Sequence, residues 1–274
     1  MDSEVVVRSR LSPSRASDFI TCPLLFRYRT VDKLPEPPAP AAIRGTLVHA
    51  VLEDLFDLPA AERHPDRAAE LIAPAWDRVV GEDARAAEFS GSEDFDAAAW
   101  LDSALPLVES YFALENPQTL EPAAREVWVE HRSDDLTLGG IVDRLDIAPD
   151  GRIRVVDYKT GKAPSEHFEG KALFQMRFYA LLLWRTRGIV PTLLQLMYLG
   201  DRQILRHGPG EAELVATERK VRAIWTAIMR ALDQGAFSPS PNGLCRFCAF
   251  HDHCPAQGGT LLPMPTVRIE PPGS

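Results

Sequence analysis

Asp143 and Asp157 flank a Pro149-Asp150-Gly151 turn, within the stretch that runs from Gly139-Gly140-Ile141-Val142-Asp143 to Val155-Val156-Asp157-Tyr158-Lys159-Thr160-Gly161. Apolar, β-branched runs on both sides of Pro-Asp-Gly predict a hairpin. A three-residue loop with Gly151 in the left-handed position pairs Ala148 with Arg152. In that register Asp143 and Asp157 fall opposite each other, with Cβ atoms about 5 Å apart. Carboxylates that close repel, so one takes a proton or a cation sits between them. Lys159 lies two residues past Asp157, on the same strand face. Alternation places Ile141, Asp143, Leu145 and Ile147 on one face of the first strand, and Ile153, Val155, Asp157 and Lys159 on one face of the second. Both aspartates thus project from apolar surfaces, where a lone carboxylate is costly. A divalent cation that favours hard oxygen ligands, Mg²⁺ or Mn²⁺, removes that cost. Two carboxylates and a lysine around such a cation are equipment for cleaving a phosphodiester bond.

The surrounding pattern supplies elements to hold this hairpin. Strands are expected over about 125–132, 136–148 and 152–159, then over about 192–199 and 202–207, with helices over about 167–187 and 211–234. Residues 11–30 read as two short helices. Ser12 is an N-cap with Pro13 at the first helical position, and Cys22-Pro23 breaks the run. A proline-rich loop at 34–41 leads to an amphipathic helix over about 42–57, with Ile43, Leu47, Val51, Leu52, Leu55 and Phe56 at helical spacing. His49 lies on another stripe of that helix, with Glu53 one turn on as an acceptor for its imidazole. Helices at about 66–81 and 94–115, joined by a polar Gly-Ser loop, make 58–120 a helical insertion or lid. Helices around a strand-rich centre predict an α/β (α+β) domain with a mixed central sheet over 1–260. Residues 261–274, rich in Pro and Gly, read as a flexible tail.

The 274 residues carry 30 Lys+Arg against 39 Asp+Glu, a formal charge of −9. That disfavours a nonspecific nucleic-acid coat but leaves room for an enzyme with a local basic groove. No apolar run approaches the roughly 20 residues of a membrane span. The charged N-terminus is unlike a signal peptide, so the cytoplasm is the expected compartment. There the four cysteines, Cys22, Cys245, Cys248 and Cys254, point to a metal centre rather than disulfides. Zinc and [4Fe–4S] both accept four thiolates, and His251 and His253 leave a zinc site of mixed ligands open.

Gly140-x-x-Asp143 followed by Val-Val-Asp157-Tyr-Lys159-Thr-Gly161 resembles the RecB-like branch of the PD-(D/E)XK exonucleases. So do Gly45-Thr-x-x-His49 upstream and Gln175-Met-Arg-Phe-Tyr179 downstream. One distant cysteine plus three clustered ones resembles that branch's iron–sulfur subgroup, which includes CRISPR-associated and AddB-type nucleases. Together these motifs span residues 22–254, and none matches 58–120. The resemblance implies a restriction-endonuclease-like fold with the cysteines clasping the N- and C-terminal segments around a [4Fe–4S] cluster; Zn²⁺ is the alternative. It implies that His49, Asp143, Asp157 and the Tyr158 carbonyl ligate Mg²⁺ or Mn²⁺. Lys159 would then activate water and steady the phosphorane charge, with Gln175 and Tyr179 completing the catalytic motif. Arg15, Arg27, Lys162, Lys171 and Arg177 are candidate phosphate contacts, because such contacts are commonly Arg or Lys. Arg8, Arg10 and Arg29 extend that basic set near Cys22.

The implied activity is exonucleolytic hydrolysis of single-stranded or frayed DNA, in repair, recombination or CRISPR adaptation. No G-x-x-x-x-G-K-[ST] signature occurs, so any unwinding falls to a helicase partner. Two other classes remain in view: a DNA-end-binding module with weak catalysis that works with a helicase, and a structural cysteine–metal protein with unrelated chemistry.

Overall fold

The computed structural model describes residues 4–165 and 169–272, leaving aside the side chains of Glu169 and Lys171. Its centre is a mixed sheet. Strands β3 (Ala124–Arg132), β4 (Thr137–Ile147) and β5 (Ile153–Lys159) form an antiparallel meander. Helix α8 (Glu169–Arg187) then crosses over to β6 (Leu193–Tyr198), which runs parallel to β5, and β7 (Gln203–His207) closes the edge. The two-residue strand β2 (Arg10–Leu11) lies parallel to the start of β4, against Thr137 and Leu138.

The hairpin has the expected register. Ile147 pairs with Ile153, Arg144 pairs with Val156, and the Ala148 N–H donates to the Arg152 carbonyl at 2.9 Å. Gly151 takes φ 85°, the left-handed conformation the turn demands. The β4–β5 ladder stops at Arg144 and Val156, one pair short of the aspartates. There the strands part, and the Asp143 carboxylate accepts the Tyr158 N–H at 2.8 Å in place of a ladder bond.

Helices cover both faces of the sheet. On one, α1 (Pro13–Thr21), α2 (Pro23–Phe26), α8 and α9 (Glu211–Gln234) pack on Leu138, Val142, Leu145, Val155 and Leu196. On the other, α3 (Pro40–Leu55), α4 (Pro65–Glu70), α5 (Ile72–Glu82), α6 (Ala84–Ser90) and α7 (Ala97–Leu114) share a core with Val156, Tyr158, Met197 and Leu199. The segment 58–120 is therefore the second layer of an α/β/α sandwich rather than a lid. A buried Arg144 ties α7 to the hairpin, through Glu115 at 2.6 Å and the Tyr158 hydroxyl at 2.7 Å. Helix α6, expected as loop, starts at the Asp83 N-cap and buries Ala86.

The C-terminal stretch is not loose along its length. Strand β8 (Val267–Glu270) pairs in parallel with β1 (Val5–Arg8), and the carbonyls of Leu262 and Pro263 accept bonds from Arg27 at 3.0 and 2.7 Å. Two four-residue strands at opposite ends of the chain carry too short a pattern for sequence reading to detect.

Candidate active site

Strict alternation fails where the chemistry lies. Val142 and Leu145, three residues apart on β4, are buried in the same core cluster, while Ile141 is 47% exposed and Ile147 43%. The facing that sequence alternation predicts therefore slips by one at Asp143. Its neighbour across β3 slips with it: Val127 and Ala124 face that same core, and Glu126 between them has φ 42°. Left-handed backbone costs a non-glycine residue on the order of 1–2 kcal/mol, and such strain concentrates at functional sites. Neither the β3–β4 nor the β4–β5 ladder includes a pair at Asp143. Glu126, Asp143 and Asp157 form a row across three strands at this opening.

Helix α3 brings His49 to the row. Its apolar face is buried through Ile43, Leu47, Val51 and Leu55, which leaves His49 at the edge with its side chain 26% exposed. The Nε2–H donates to the Tyr158 carbonyl at 2.9 Å, turning Nδ1 toward Asp143 Oδ2 at 3.5 Å and Glu126 Oε1 at 3.8 Å. Glu53, the expected acceptor for His49, pairs with Arg78 instead. Burial alone would lower the His49 pKa, but Asp143, Glu126 and Asp157 outweigh it and raise it to about 9. Burial first, and then the Asp157 charge, raise the Asp143 pKa to about 7. Protons thus hold this cluster together where a cation can take their place.

Among the described residues, His49, Glu126 and Asp143 are the set of His, Cys, Asp or Glu side chains whose ligand atoms come within 4.8 Å of one another. One imidazole nitrogen and two carboxylates suit a divalent ion. Glu126 is the member that sequence reading missed. A signal existed: the turn at Ser133–Leu136, closed by the Ser133 N–H to the Leu136 carbonyl at 2.9 Å, sets a β3–β4 register that carries Glu126 to Asp143. The Tyr158 carbonyl, expected as a ligand, accepts the His49 Nε2–H with one of its two lone pairs.

The other half of the row holds Asp157, Lys159, Gln175 and Tyr179. Asp157 is 1% exposed. Its carboxylate takes the Lys159 Nζ at 2.6 Å and the Gln175 amide at 2.8 Å. The same glutamine accepts from Lys159 at 3.1 Å and donates to the Tyr179 hydroxyl at 3.1 Å. One side chain of α8 therefore orients the carboxylate and the ammonium of β5 together. Tyr179 packs over Gly140, where a Cβ would meet its Cε1 at 2.8 Å and Pro13 Cδ at 3.3 Å. Gly140→Ala is expected to cost about 1–3 kcal/mol by overpacking. Denaturant unfolding measures it, and unchanged stability would show that the ring has room to move.

A groove of about 650 Å³ runs past Asp143, Glu126, Gln175, Tyr179, Trp128 and the start of α1. A second, of about 380 Å³, begins on the other side of Glu126 and passes His49 and Arg78. Of the expected phosphate contacts, Arg27 is 2% exposed and bound by Asp32 at 2.9 Å as well as by the two carbonyls, so it reaches no groove. Arg177 is paired with Glu213, and Arg29 with Asp18 and Glu36. Arg15 is half-buried near Arg10, Lys162 is exposed, and the Lys171 side chain lies outside the described residues.

All four cysteines border one cavity, with Leu24, Tyr28 and Phe250 in its walls. The Ser240 N–H lies 3.4 Å from Cys22 Sγ and the Asn242 N–H 3.3 Å from Cys245 Sγ. Burial pushes the Cys248 thiol up.

The profile of the PD-(D/E)XK nuclease superfamily matches residues 10–255. The Gene 69 protein of Mycobacterium phage D29 is 23% identical over 266 residues, covering 89% of this chain and 96% of its own. A solved structure from Eubacterium rectale, described provisionally as an exonuclease, superposes with a TM-score of 0.58 at 12% identity, over 88% of this chain and 87% of its own. That likeness is one of fold. Among the described residues no helix is long and apolar enough to cross a membrane.

Proposed function

The chain belongs to the PD-(D/E)XK nuclease superfamily, and from that premise we propose a metal-dependent exodeoxyribonuclease that hydrolyses single-stranded or frayed DNA ends. The observation that carries this reading is the row of Glu126, Asp143 and Asp157, with His49 at one end and a clamped Lys159 at the other. His49, Glu126 and Asp143 hold Mg²⁺ or Mn²⁺ in this reading, and Asp157 completes the charge around it. A divalent ion there supplies Lewis acidity toward the phosphate and the attacking water.

The chain's own groups do the rest. The Tyr158 carbonyl fixes the His49 tautomer, leaving Nδ1 as the donor atom. Gln175, which lines the groove, holds the Lys159 ammonium beside Asp157, and in this reading that charge meets an anionic phosphate and steadies the charge that builds on it. Gln175 and Tyr179 act through Lys159 and Asp157 as positioning residues.

At the cysteines we propose a structural [4Fe–4S] cluster that clasps the two ends of the domain. The distribution of the cysteines along the chain supports it over a single zinc ion. One distant cysteine, Cys22, and three clustered ones, Cys245, Cys248 and Cys254, border one cavity, whereas structural zinc sites more often draw four ligands from two local knuckles. Work on DNA ends fits repair, recombination or CRISPR adaptation alongside a helicase.

Digestion of 5′- and 3′-labelled single- and double-stranded DNA with Mg²⁺ or Mn²⁺ tests the proposal. Products should come from the ends of single strands, EDTA should stop the reaction, and Lys159→Ala should slow it at least about a hundredfold. Cutting of closed circular single strands would replace exonuclease with endonuclease. End binding in EDTA with no cleavage in either metal would favour a DNA-end clamp.

A further inference from the structure

Trp128 and Ile141 face each other in the β3–β4 ladder, and both stand out in solvent, 44% and 47% exposed. Each lies two residues along its strand from a site carboxylate, Glu126 or Asp143, a distance of about 7 Å. Both line the groove that also holds Glu126, Asp143, Gln175 and Tyr179.

The indole is held in place. It reaches over β4 at Gly139, where a Cβ would meet its Cζ2 at 2.6 Å, so only glycine lets the ring lie on that strand. Its Nε1–H donates to Glu130 at 3.0 Å, and the Arg10 guanidinium sits 5.0 Å from the ring centroid. Arg10 and Arg132 both pair with Glu130, so that carboxylate is matched by cations. Arg8, Arg10 and Arg132 line a nearby groove of about 130 Å³, where Arg8 pairs with Glu270 at 3.4 Å but keeps its side chain 70% exposed. Arg15 lies near enough to Arg8 and Arg10 that their charges add to burial in lowering its pKa.

Arginines beside a fixed, partly exposed aromatic ring suit a single nucleic-acid strand, with phosphates on the cations and an unpaired base against the ring. A duplex keeps its bases stacked inward and offers no such face. We propose that Trp128, backed by Ile141, is a stacking platform for an unpaired base next to the phosphate at Asp143, and that it gives the site its preference for single-stranded substrate. This rests on the nuclease reading above and adds to it the group that recognises the strand.

The test compares wild type, Trp128→Ala and Trp128→Phe in EDTA, by fluorescence anisotropy of labelled oligothymidylate and of an equally long abasic oligomer. The abasic strand keeps the phosphates and lacks the bases. Trp128→Ala should weaken oligothymidylate binding roughly tenfold and leave abasic binding unchanged, and Trp128→Phe should recover most of the loss. Equal weakening on both strands would mean a structural role, and no change on either would mean that no base stacks there; both overturn the platform. If wild type cleaves single strands and Trp128→Ala matches it on both oligomers, the platform alone fails. If wild type neither binds nor cleaves, the nuclease reading fails and the platform with it.

Discussion

Asp143→Asn should fold normally and lose cleavage by at least about a thousandfold, some 4 kcal/mol of barrier. Asp143 is the middle of the carboxylate row and faces His49 Nδ1 at 3.5 Å. Its carboxylate also accepts the Tyr158 N–H at 2.8 Å, where the β4–β5 ladder ends. Asparagine keeps an acceptor for that N–H and removes the charge, which separates chemistry from architecture. Burial and Asp157 already push the Asp143 carboxyl up to about 7, so the neutral side chain relieves repulsion, and thermal unfolding of the metal-free variant should occur at or above the wild-type temperature. Glu126→Gln should follow the same pattern with a smaller loss, because Glu126 approaches His49 less closely, at 3.8 Å. Single-turnover digestion of labelled DNA measures both. Asp143→Asn cleaving within tenfold of wild type would remove the row from the mechanism.

Cys248→Ser should strip iron and sulfide from anaerobically purified protein and lower its unfolding temperature by about 5–10 °C, a loss of roughly 3 kcal/mol. The cysteines join the break between α1 and α2 to the segment after α9, far apart in sequence. That region is also packed by its own side chains. Phe26 stacks on Phe237 at 6.3 Å, Tyr28 lies 5.3 Å from Phe250, and the Tyr28 hydroxyl donates to the His253 carbonyl. Those contacts should keep the variant folded at room temperature while the ends open more readily to protease. Zinc in place of iron and sulfide would change the identity of the centre. Full retention of stability would show that the thiols clasp nothing.

The hairpin was legible because its information is local. Pro149-Asp150-Gly151 admits few loop geometries, and the flanking residues alternate, so register follows from adjacent residues. The helix bearing His49 and the helix bearing Gln175 and Tyr179 were legible from periodicity in the same way. The alternation itself misled at Asp143, where β3 and β4 kink together. That kink is stabilised by groups from three strands and α3, and no single stretch of sequence encodes it.

Local pattern alone specified which residue types can meet: two aspartates opposed by a turn, a lysine two residues on, and a histidine, a glutamine and a tyrosine on helices of set phase. Tertiary structure decided what each does there. It recruited Glu126 through a strained backbone, gave the Tyr158 carbonyl to His49, and set Gln175 between Lys159 and Asp157. It buried Arg27 beneath the C-terminal segment and made residues 58–120 a layer of the core. The division has one physical cause. Turn chemistry and side-chain period act between near neighbours, whereas the partner of a charged or aromatic group is chosen by whatever packing brings beside it from elsewhere in the chain.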